Sequence, residues 1–406
     1  MKTLLIIAWR NIWRHPGRSG VLIAAIIVGL WAGVVTVGTM NGMLQQRVSY
    51  LIDSEVTHLQ IHNPEFLTER LAADYIPDHD EITGWLSQDE RVRSFSPRVM
   101  ADGMLQSPVK TSGVRIRGID VEQESATTTF HENMIEGEYL DAGVRNSVVM
   151  GKSLMDEHGL RIGNRIVLTF EDAQGELTSS AFNITGIFRS ASTEYDDRNL
   201  LVRKSDLYGL IAETPVFHEI AVMLHNEDDA TAVVDDLNEA FPEITARTWR
   251  QISPELSTLI GLGGYMLYIV TLIIMAALAF GILNTMLMAL FERMREIGML
   301  ISIGMSRKGV FIMIMMESVL LTLTGTAGGF LLAWLSIGWL GRNGVNFEAF
   351  ADGIAELGWD HIVYPVISTQ EYVAILLVVM FVTLLASLYP AFKAIRINPL
   401  EAAKDT

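Results

Sequence analysis

Four long apolar stretches and one long polar stretch divide the sequence. The apolar stretches cover residues 20–43, 262–290, 311–338 and 369–390, and the polar stretch covers residues 44–260. A helix needs about 20 predominantly apolar residues to cross the hydrocarbon core of a bilayer. The pattern therefore predicts a membrane protein with four transmembrane α-helices and one large domain between the first two of them.

The first apolar stretch follows a basic segment. Residues 1–19 contain four lysine and arginine residues and no acidic residue, and two tryptophans mark an apolar side. Such a segment suits the headgroup region of a membrane, so we expect it to be amphipathic and to lie on the cytoplasmic surface. Residues 20–43 are long enough to cross and no A-x-A-like cleavage site follows, which predicts an uncleaved first span.

The polar stretch carries both strand and helix periodicity. Alternation of polar and apolar residues predicts strands, and apolar residues at helical spacing predict helices. The strands are predicted at residues 58–63, 92–101, 111–118, 219–224 and 244–249, and the helices at residues 80–86 and 228–240. Two βαβ arms thus bracket an insert at about residues 132–211. We expect a large α+β extracytoplasmic domain of two lobes, a ferredoxin-like βαβ module with an inserted, mostly-β lobe.

The acidic residues are concentrated in this domain. Residues 44–260 contain 18 Lys and Arg against 37 Asp and Glu, whereas the rest of the chain contains 12 against 10. We expect no nucleic-acid partner for so acidic a surface, which instead keeps the domain soluble. The sequence has no cysteine, which excludes a disulfide framework, a cysteine-ligated zinc site and thiol catalysis.

A short charged segment at residues 291–310 separates the second and third apolar stretches. It carries Glu292, Arg293, Arg295 and Glu296 at one end and a basic pair at the other. Its apolar middle is interrupted by two glycines and is too short to span a bilayer, so we expect an amphipathic helix along the membrane face. A short helix held between two spans would tilt both of them when it is pushed.

The order and spacing of residues in and before this segment resemble those of a transporter family. The sequence N-x-M-(x)5-E-R-x-R-E-I-G-x-L-x-x-I-G, which begins at Asn284, is similar to that of the FtsX-like and MacB-like permeases of the type VII ABC transporters. In that family the segment is the coupling helix, which lies in a groove of a separate ATPase. The resemblance implies ATPase-coupling roles for Glu292, Arg293, Arg295, Glu296, Ile297, Gly298, Met299 and Gly304.

Other parts of the chain carry the same resemblance. The sequences A-W-R-N-I-W-R-H-P-G-R and P-A-F-K-A-I-R-I-N-P-L-E-A are similar to the two ends of the family's permeases. In the polar stretch, G-E-Y-L-D, V-V-M-G-K-S-L, G-L-R-I-G-N-R-I and F-N-I-T-G-I-F resemble the MacB-like periplasmic core domain. The resemblance implies a pair of permease copies, identical or paralogous, with two copies of an ABC ATPase. It also implies that the ATPase binds ATP and magnesium, and that this chain carries no cofactor.

The resemblance leaves three functions open. The lipoprotein-releasing branch is the nearest, which implies mechanotransmission: ATP hydrolysis by the ATPase moves the coupling helices and the periplasmic domains, and lipoproteins leave the inner membrane. The alternatives are MacB-like efflux of a drug, toxin or peptide with a membrane-fusion partner, and FtsX-like regulation of a cell-wall hydrolase. The outer partner would accordingly be a periplasmic carrier, an adaptor or a hydrolase. Membrane lipids surround the spans in all three.

We find no catalytic or metal-binding constellation in the sequence. Gly151-Lys152-Ser153 resembles the end of a phosphate loop, but Asn146 occupies the place of its first glycine. The acidic cluster at residues 194–197 lacks the ligand spacing and glycine of a calcium loop, and no G-x-S-x-G nucleophile elbow occurs. We therefore expect a chain that is not an enzyme and binds no metal.

Lysine and arginine are distributed unevenly between the predicted loops. Residues 1–19, 292–309 and 391–406 contain 11 of them in all, and residues 342–368 contain one. The positive-inside rule then places both termini and the coupling segment in the cytoplasm of a bacterial cell, with the large domain in the periplasm. The predicted order is residues 1–19 amphipathic segment, 20–43 first span, 44–260 periplasmic domain, 262–290 second span, 291–310 coupling helix, 311–338 third span, 339–368 outer loop, 369–390 fourth span and 391–406 cytoplasmic tail.

Two polar residues and several glycines stand out within the spans. Asn284 and Glu317 are predicted to be intramembrane polar residues, and an ionisable group costs about 2.5–3.5 kcal/mol there. Glu317 either contacts the charged coupling segment or extends toward the cytoplasmic surface. Glycines at G-x-x-x-G spacing either form helix-packing seams or reflect the ordinary abundance of glycine in spans. They are Gly29, Gly33, Gly38, Gly42, Gly325 and Gly329.

Overall fold

A computed structural model of the chain describes residues 16–190, 193–347 and 362–396, together with residues 6, 9, 10 and 14. Three of the sequence predictions fall on other residues. Most of the amino-terminal amphipathic segment, most of the outer loop and the family-like ending from residue 397 onward lie outside the described residues.

The described residues form two compact units. The helical unit consists of residues 16–45, 260–347 and 362–396, and the α/β unit consists of residues 46–259 with their short gap.

The helices and strands have the following bounds. The helices are α1 Pro16–Leu51, α2 Phe66–Glu69, α3 His79–Gln88, α4 Val121–Thr127, α5 Lys152–His158, α6 Thr193–Asp196, α7 Lys204–Ile211, α8 Ala230–Ala240, α9 Trp249–Ile252, α10 Pro254–Glu292, α11 Met294–Ser302, α12 Arg307–Asn343 and α13 Thr369–Ile395. The strands are β1 Leu59–His62, β2 Val92–Gln106, β3 Thr111–Ile119, β4 Met134–Gly137, β5 Ser147–Gly151, β6 Arg165–Glu171, β7 Leu177–Phe188, β8 Asn199–Arg203, β9 Glu219–Leu224, β10 Thr245–Thr248, β11 Val345–Asn346 and β12 Ile362–Val363.

Four helices of the described chain, α1, α10, α12 and α13, are long and apolar enough to cross a membrane. Along α1, Leu22, Ile26, Leu30 and Val34 are buried, and their spacing of four residues places them on one side of the helix. Helix α1 continues eight residues past the predicted end of the first span, and α10 begins eight residues before the predicted second span. Backbone hydrogen bonding extends these helices into polar sequence, where hydropathy no longer marks them.

The start of α13 is fixed by a capping box. Ser368 Oγ accepts a hydrogen bond from the Glu371 N–H at 3.2 Å, and Glu371 Oε2 accepts one from the Ser368 N–H at 2.7 Å. Each side chain satisfies a backbone donor that the first helical turn leaves free. Helix α13 therefore begins at Thr369, the residue at which hydropathy predicts the fourth span.

The first lobe of the α/β unit has the ferredoxin-like arrangement. Its strands lie in the order β10-β1-β9-β2, and every neighbouring pair is antiparallel. Helix α3 follows β1 and helix α8 follows β9, so the chain runs through two βαβ arms. Ile82 and Leu86 of α3 and Val233 and Leu237 of α8 are buried against the sheet core. Both pairs have a spacing of four residues, which is the helical periodicity that predicted the second of these helices.

The second lobe continues from the far half of β2. Residues Val99–Gln106 of β2 pair with β3, and the sheet proceeds in the order β3-β8-β5-β7-β4, while β6 pairs with β2 and β7. Strand β3 is parallel to β8 and β5 is parallel to β7. A second apolar core, which includes Ile116, Val148 and Phe182, lies within this lobe.

The predicted start of the insert at about residue 132 is wrong. Strand β3 precedes residue 132 and already belongs to the second lobe, whose sheet begins in the middle of β2. A single strand of 15 residues serves both sheets. Ser96 and Pro97 precede the crossing, but the strand continues through them without a turn, so the sequence pattern gives no boundary there.

A fully buried cluster of ionisable residues lies where the two sheets share β2. Arg98 is completely buried, and its guanidinium donates to Glu124 Oε1 and to Glu219 Oε1, each at 2.6 Å. Burial raises the pKa of Glu219, but His62 and Arg98 outweigh it and hold that pKa well below its usual range. The same holds for Glu124: burial raises the pKa of its carboxyl, but Arg98 lowers that pKa by more, so the net shift is downward. Both carboxylates therefore stay ionised inside the domain.

Candidate functional site

The short helix α11 interrupts the path between two spans of the helical unit. Helix α10 ends at Glu292, α11 covers only nine residues, and α12 begins at Arg307. Gly304 adopts a φ of +107° in the turn that follows α11, a conformation that side chains with a Cβ rarely accept. Ser306 then caps α12, because its Oγ accepts the Gly309 N–H at 3.2 Å. The local sequence thus specifies a separate short helix.

Helix α11 has one face in the helical unit and one face exposed. Arg295 and Met299 are exposed, and Met299 retains 59% of its surface. Ile297 and Gly298 are buried, and the ATPase-coupling role expected of these two residues stays a prediction. An amphipathic helix must cover its apolar side, and Ile297 packs that side on the spans. Glu292 and Gly304 are exposed at the two ends of the segment.

Arg293 joins the start of α11 to the middle of α12. Its Nη1 donates to both carboxylate oxygens of Glu317, at 2.9 and 3.0 Å, and its Nε donates to Glu296 at 3.3 Å. The Arg293 and Glu317 side chains are 16% and 14% exposed. The sequence left two interpretations of Glu317, a contact with the coupling segment or an extension toward the cytoplasmic surface. This geometry matches the first of them. The sequence marks both residues as notable but does not identify them as partners.

A small cavity lies beside this ion pair. Its volume is about 60 Å³, and it is lined by Arg293, Glu317 and residues of α1, α10, α12 and α13 such as Pro390. That is enough volume for a few water molecules beside charged groups. The ion pair therefore has adjacent space in which its partners can shift.

The other predicted intramembrane polar residue lies elsewhere. Asn284 is exposed on α10, and it is not among the residues that line the cavity, whereas its neighbour Thr285 is. The structure therefore does not assemble Asn284 and Glu317 into one site.

Glycines of α1 and α12 lie at close approaches between helices. A methyl group at Gly29 would meet Leu278 of α10 and one at Gly33 would meet Ile274. Similar groups at Gly325 and Gly329 would meet Ile26 and Leu30 of α1, one at Gly38 would meet Ile337 of α12, and one at Gly42 would meet the backbone of Tyr364. Close approach of this kind is what small residues allow in lipid.

The chemical motifs of the α/β unit are used structurally. The Lys152 ammonium pairs with Asp156 one turn along α5. Asp196 accepts the Ser190 N–H at 2.9 Å, and burial raises the Asp196 pKa to about 6. Among the described residues, no three His, Asp or Glu side chains are grouped so as to hold a metal ion.

Comparison with known proteins identifies two family regions. The MacB-like periplasmic core domain matches residues 19–240, and the FtsX-like permease C-terminal region matches residues 268–399. Together they include every span and almost all of the α/β unit. The first match alone covers more than half of the chain.

Curated relatives align over most of the chain. LolC, the lipoprotein-releasing system transmembrane protein of Xylella fastidiosa, is 23% identical over 94% of this chain and 92% of its own length. MacB of Escherichia coli, a macrolide export ATP-binding/permease protein, is 24% identical over 79% of this chain and 46% of its own length. The periplasmic region of MacB from Actinobacillus actinomycetemcomitans matches 52% of this chain and 98% of its own at 13% identity, with a TM-score of 0.36.

These matches join what the structure shows separately. The last three spans and the short helix lie in the FtsX-like region. The first span and almost all of the two-lobed α/β unit lie in the MacB-like region. A permease of this kind works with an ABC ATPase and has its large domain in the periplasm. The chain belongs to the family of FtsX-like ABC transporter permeases with a MacB-like periplasmic core domain.

Proposed function

We propose that this permease releases lipoproteins from the inner membrane and is driven by a separate ABC ATPase. The observation that supports this function best is the alignment with LolC, which is nearly complete for both proteins. The match to MacB covers less than half of that protein. The proposal includes two ATPase copies, which bind the ATP and magnesium, and a second permease copy that is identical or paralogous.

The contacts of α11 support a mechanical coupling. Its exposed side chains, Arg295 and Met299, are available to a groove on the ATPase, while Ile297 anchors the helix to the spans. Arg293 links its first turn to Glu317 of α12. A displacement of α11 by the ATPase is therefore passed to α12 through a charged contact, in addition to the chain connection.

A release assay tests the proposed substrate. The permease and its cognate ATPase would be placed in liposomes that contain a fluorescent triacylated lipoprotein, with a soluble acceptor protein outside. We expect transfer of the lipoprotein to the soluble fraction on addition of ATP and magnesium. If ATP turnover responds to the permease but the lipoprotein stays in the membrane, while a macrolide or peptide is exported instead, lipoprotein release is the wrong function.

A charge reversal tests the coupling surface. Arg295→Glu changes an exposed residue of α11, and Arg342→Glu makes the same change at the opposite end of α12. Because loss of a charged interface contact costs about 2–5 kcal/mol, we expect Arg295→Glu to lower ATPase co-purification at least about tenfold. The Arg342→Glu control should retain it. Equal recruitment by both variants would show that α11 does not contact the ATPase.

The absence of cysteine makes the proposed orientation directly measurable. Gln174→Cys and Met299→Cys each introduce a single exposed thiol, one in the β6–β7 turn and one on α11. We expect a membrane-impermeant maleimide to label Gln174→Cys in intact spheroplasts and Met299→Cys only after lysis. Labelling of both from outside would contradict a cytoplasmic α11.

A further inference from the structure

The α/β unit contains a large cleft that is rich in arginine. Its volume is about 1060 Å³, which is above the usual range for a small-molecule site and far more than one phosphate ion fills. It is lined by six arginines and four acidic residues, although the domain as a whole has twice as many acidic as basic residues. The six are Arg47, Arg70, Arg115, Arg117, Arg198 and Arg247.

The arginines of the cleft differ in whether another side chain of the protein binds them. Arg115 pairs with Asp102 at 3.3 Å. In the described part of the chain, the guanidinium groups of Arg70, Arg198 and Arg247 form no hydrogen bond or ion pair with another side chain. On the acidic side, Glu219 is already bound to Arg98 and His62. Arg70, Arg198 and Arg247 are thus the cleft guanidinium groups that have no side-chain partner in the described part of the chain.

Arg117 is a buried charge with an unsatisfied donor. It is only 7% exposed on β3, and its Nε has no hydrogen-bond partner among the described residues. Its guanidinium lies over the ring of Tyr195, with 5.7 Å between the guanidinium carbon and the ring centroid. A buried guanidinium without an acceptor is costly. An anion in the cleft would supply that acceptor, and the planar fork of arginine matches the oxygens of a phosphate group.

The other residues that line the cleft indicate which chemical groups the ligand carries besides its anion. Glu55 is 7% exposed, and its Oε1 has no hydrogen-bond partner in the described structure, so it can accept a hydroxyl donor. The half-buried side chains of Val56, Leu67, Ile252 and Leu256 line the same cleft and offer apolar surface. The cleft therefore combines sites for a phosphate, a hydroxyl group and an apolar chain.

We propose that this cleft binds a glycerol phosphate group attached to an apolar chain, as in the headgroup region of an anionic glycerophospholipid. Arg117, Arg198 and Arg247 contact the phosphate, Glu55 accepts from a glycerol hydroxyl, and the aliphatic wall covers the first part of the chain. The site is distinct from the lipoprotein-release function, since binding requires neither the ATPase nor a lipoprotein.

Binding to the purified full chain in a neutral detergent tests this site. The probes are dioctanoyl phosphatidylglycerol, dioctanoyl phosphatidylcholine and free glycerol 3-phosphate, each titrated and followed by the thermal midpoint and by native mass spectrometry. We expect phosphatidylglycerol to bind most tightly. Equal affinity for free glycerol 3-phosphate would overturn the apolar part of the proposal, and no binding of either phosphatidylglycerol or glycerol 3-phosphate would overturn all of it.

Matched arginine variants separate a built site from general charge attraction. Arg198→Gln/Arg247→Gln removes two exposed cleft charges, and Arg145→Gln/Arg165→Gln removes two exposed charges elsewhere in the same domain. Because each charge-assisted contact contributes substantially, we expect the first pair to weaken phosphatidylglycerol binding by at least about tenfold. The second pair should change it by less than about twofold. Equal losses in both would show that no specific site exists.

Discussion

Arg98 of the α/β unit and Arg293 of the helical unit are both held by glutamates, yet their surroundings differ. Arg98 is completely buried and bonded to two carboxylates from different elements. Arg293 is 16% exposed, and its partner Glu317 borders a cavity of about 60 Å³. The Arg98 guanidinium itself has no exposed surface for an alternative partner, although Glu219 also lines the large cleft, whereas both members of the Arg293–Glu317 pair border free space. A closed cluster fixes structure, and an open pair can take part in movement.

The energetic consequences differ in the same direction. Removing one member of a buried ion pair leaves an uncompensated charge and costs about 3–5 kcal/mol. A pair that water can reach loses less, because solvent replaces part of the missing interaction. Substitutions at Arg98 should therefore lower the stability of the α/β unit. Substitutions at Arg293 or Glu317 should first lower the coupling between ATP hydrolysis and release.

The largest expected effect is on the stability of the α/β unit. Arg98→Ala leaves Glu124 and Glu219 buried without their common partner, so we expect the free energy of unfolding of this domain to fall by about 3–5 kcal/mol. Thermal scanning and limited proteolysis of the purified full chain measure it. Arg161→Ala, an exposed arginine of the same domain, should change stability by less than about 0.5 kcal/mol.

A compensating substitution sharpens that result. If the loss comes from orphaned carboxylates, then Arg98→Met combined with Glu124→Gln and Glu219→Gln should be more stable than Arg98→Met alone. A triple variant that is less stable than the single one would show that the cluster acts through packing and not through charge.

The second effect concerns coupling in the helical unit. Glu317→Ala removes the acceptor of Arg293, and we expect ATP-driven release to fall about tenfold while ATPase recruitment persists. The exchange Arg293→Glu/Glu317→Arg should recover part of the activity because it restores opposite charges. Should Glu317→Ala retain full release, or should it lower stability by as much as we expect for Arg98→Ala, the contrast between the two arginines would fail.

The sequence predicted those features that depend on local periodicity. Apolar length indicates the four spans, and the spacing of Ile82 and Leu86 or of Val233 and Leu237 indicates the helices of the ferredoxin-like lobe. The cluster around Arg98 was not predicted, because its bonded members are separated by up to 157 residues and meet only through the pairing of β1, β2 and β9 and the packing of α4. The buried side of α11 was missed for a related reason. A family-like motif does not show which of its residues face inward.

The arginine-rich cleft also could not be predicted from the sequence. Its residues come from α1, the segment around α2, six strands and the segments around α6 and α9, and Arg70, Arg198 and Arg247 lie far apart in the chain. Charge counting described the domain as uniformly acidic, since a net value over 217 residues averages out a local excess of the opposite sign. Only the fold brings these residues to one surface.

The smallest expected effect is a pH dependence of opposite sign at two carboxyl groups of the α/β unit. The pKa of Glu219 lies well below its ordinary value, so its stabilising contribution is complete above about pH 4.5 and is lost as the pH falls through its folded-state pKa. Among the described residues Asp196 forms no hydrogen bond or ion pair with an arginine, and burial raises its pKa to about 6, which the charge of Arg189 only partly opposes. The folded domain then binds a proton that the unfolded chain does not, so stability gained from Asp196 is complete below about pH 3.8 and is lost as the pH rises through 6.

A comparison of Asp196 with its neighbour Asp197 isolates the pH-dependent contribution of Asp196 to stability. As the pH falls from 7 to 5, wild type should gain stability relative to Asp196→Asn, because only wild type takes up the proton at this position. Thermal midpoints of the α/β unit measured across that range give the difference directly, and the exposed neighbour Asp197→Asn serves as the control. A difference that grows instead as the pH rises would mean that Asp196 is stabilised as a carboxylate by the Ser190 N–H. In that case Glu219 and Asp196 would both lose stabilising interactions in acid. An arginine partner would then not be what distinguishes these two carboxyl groups.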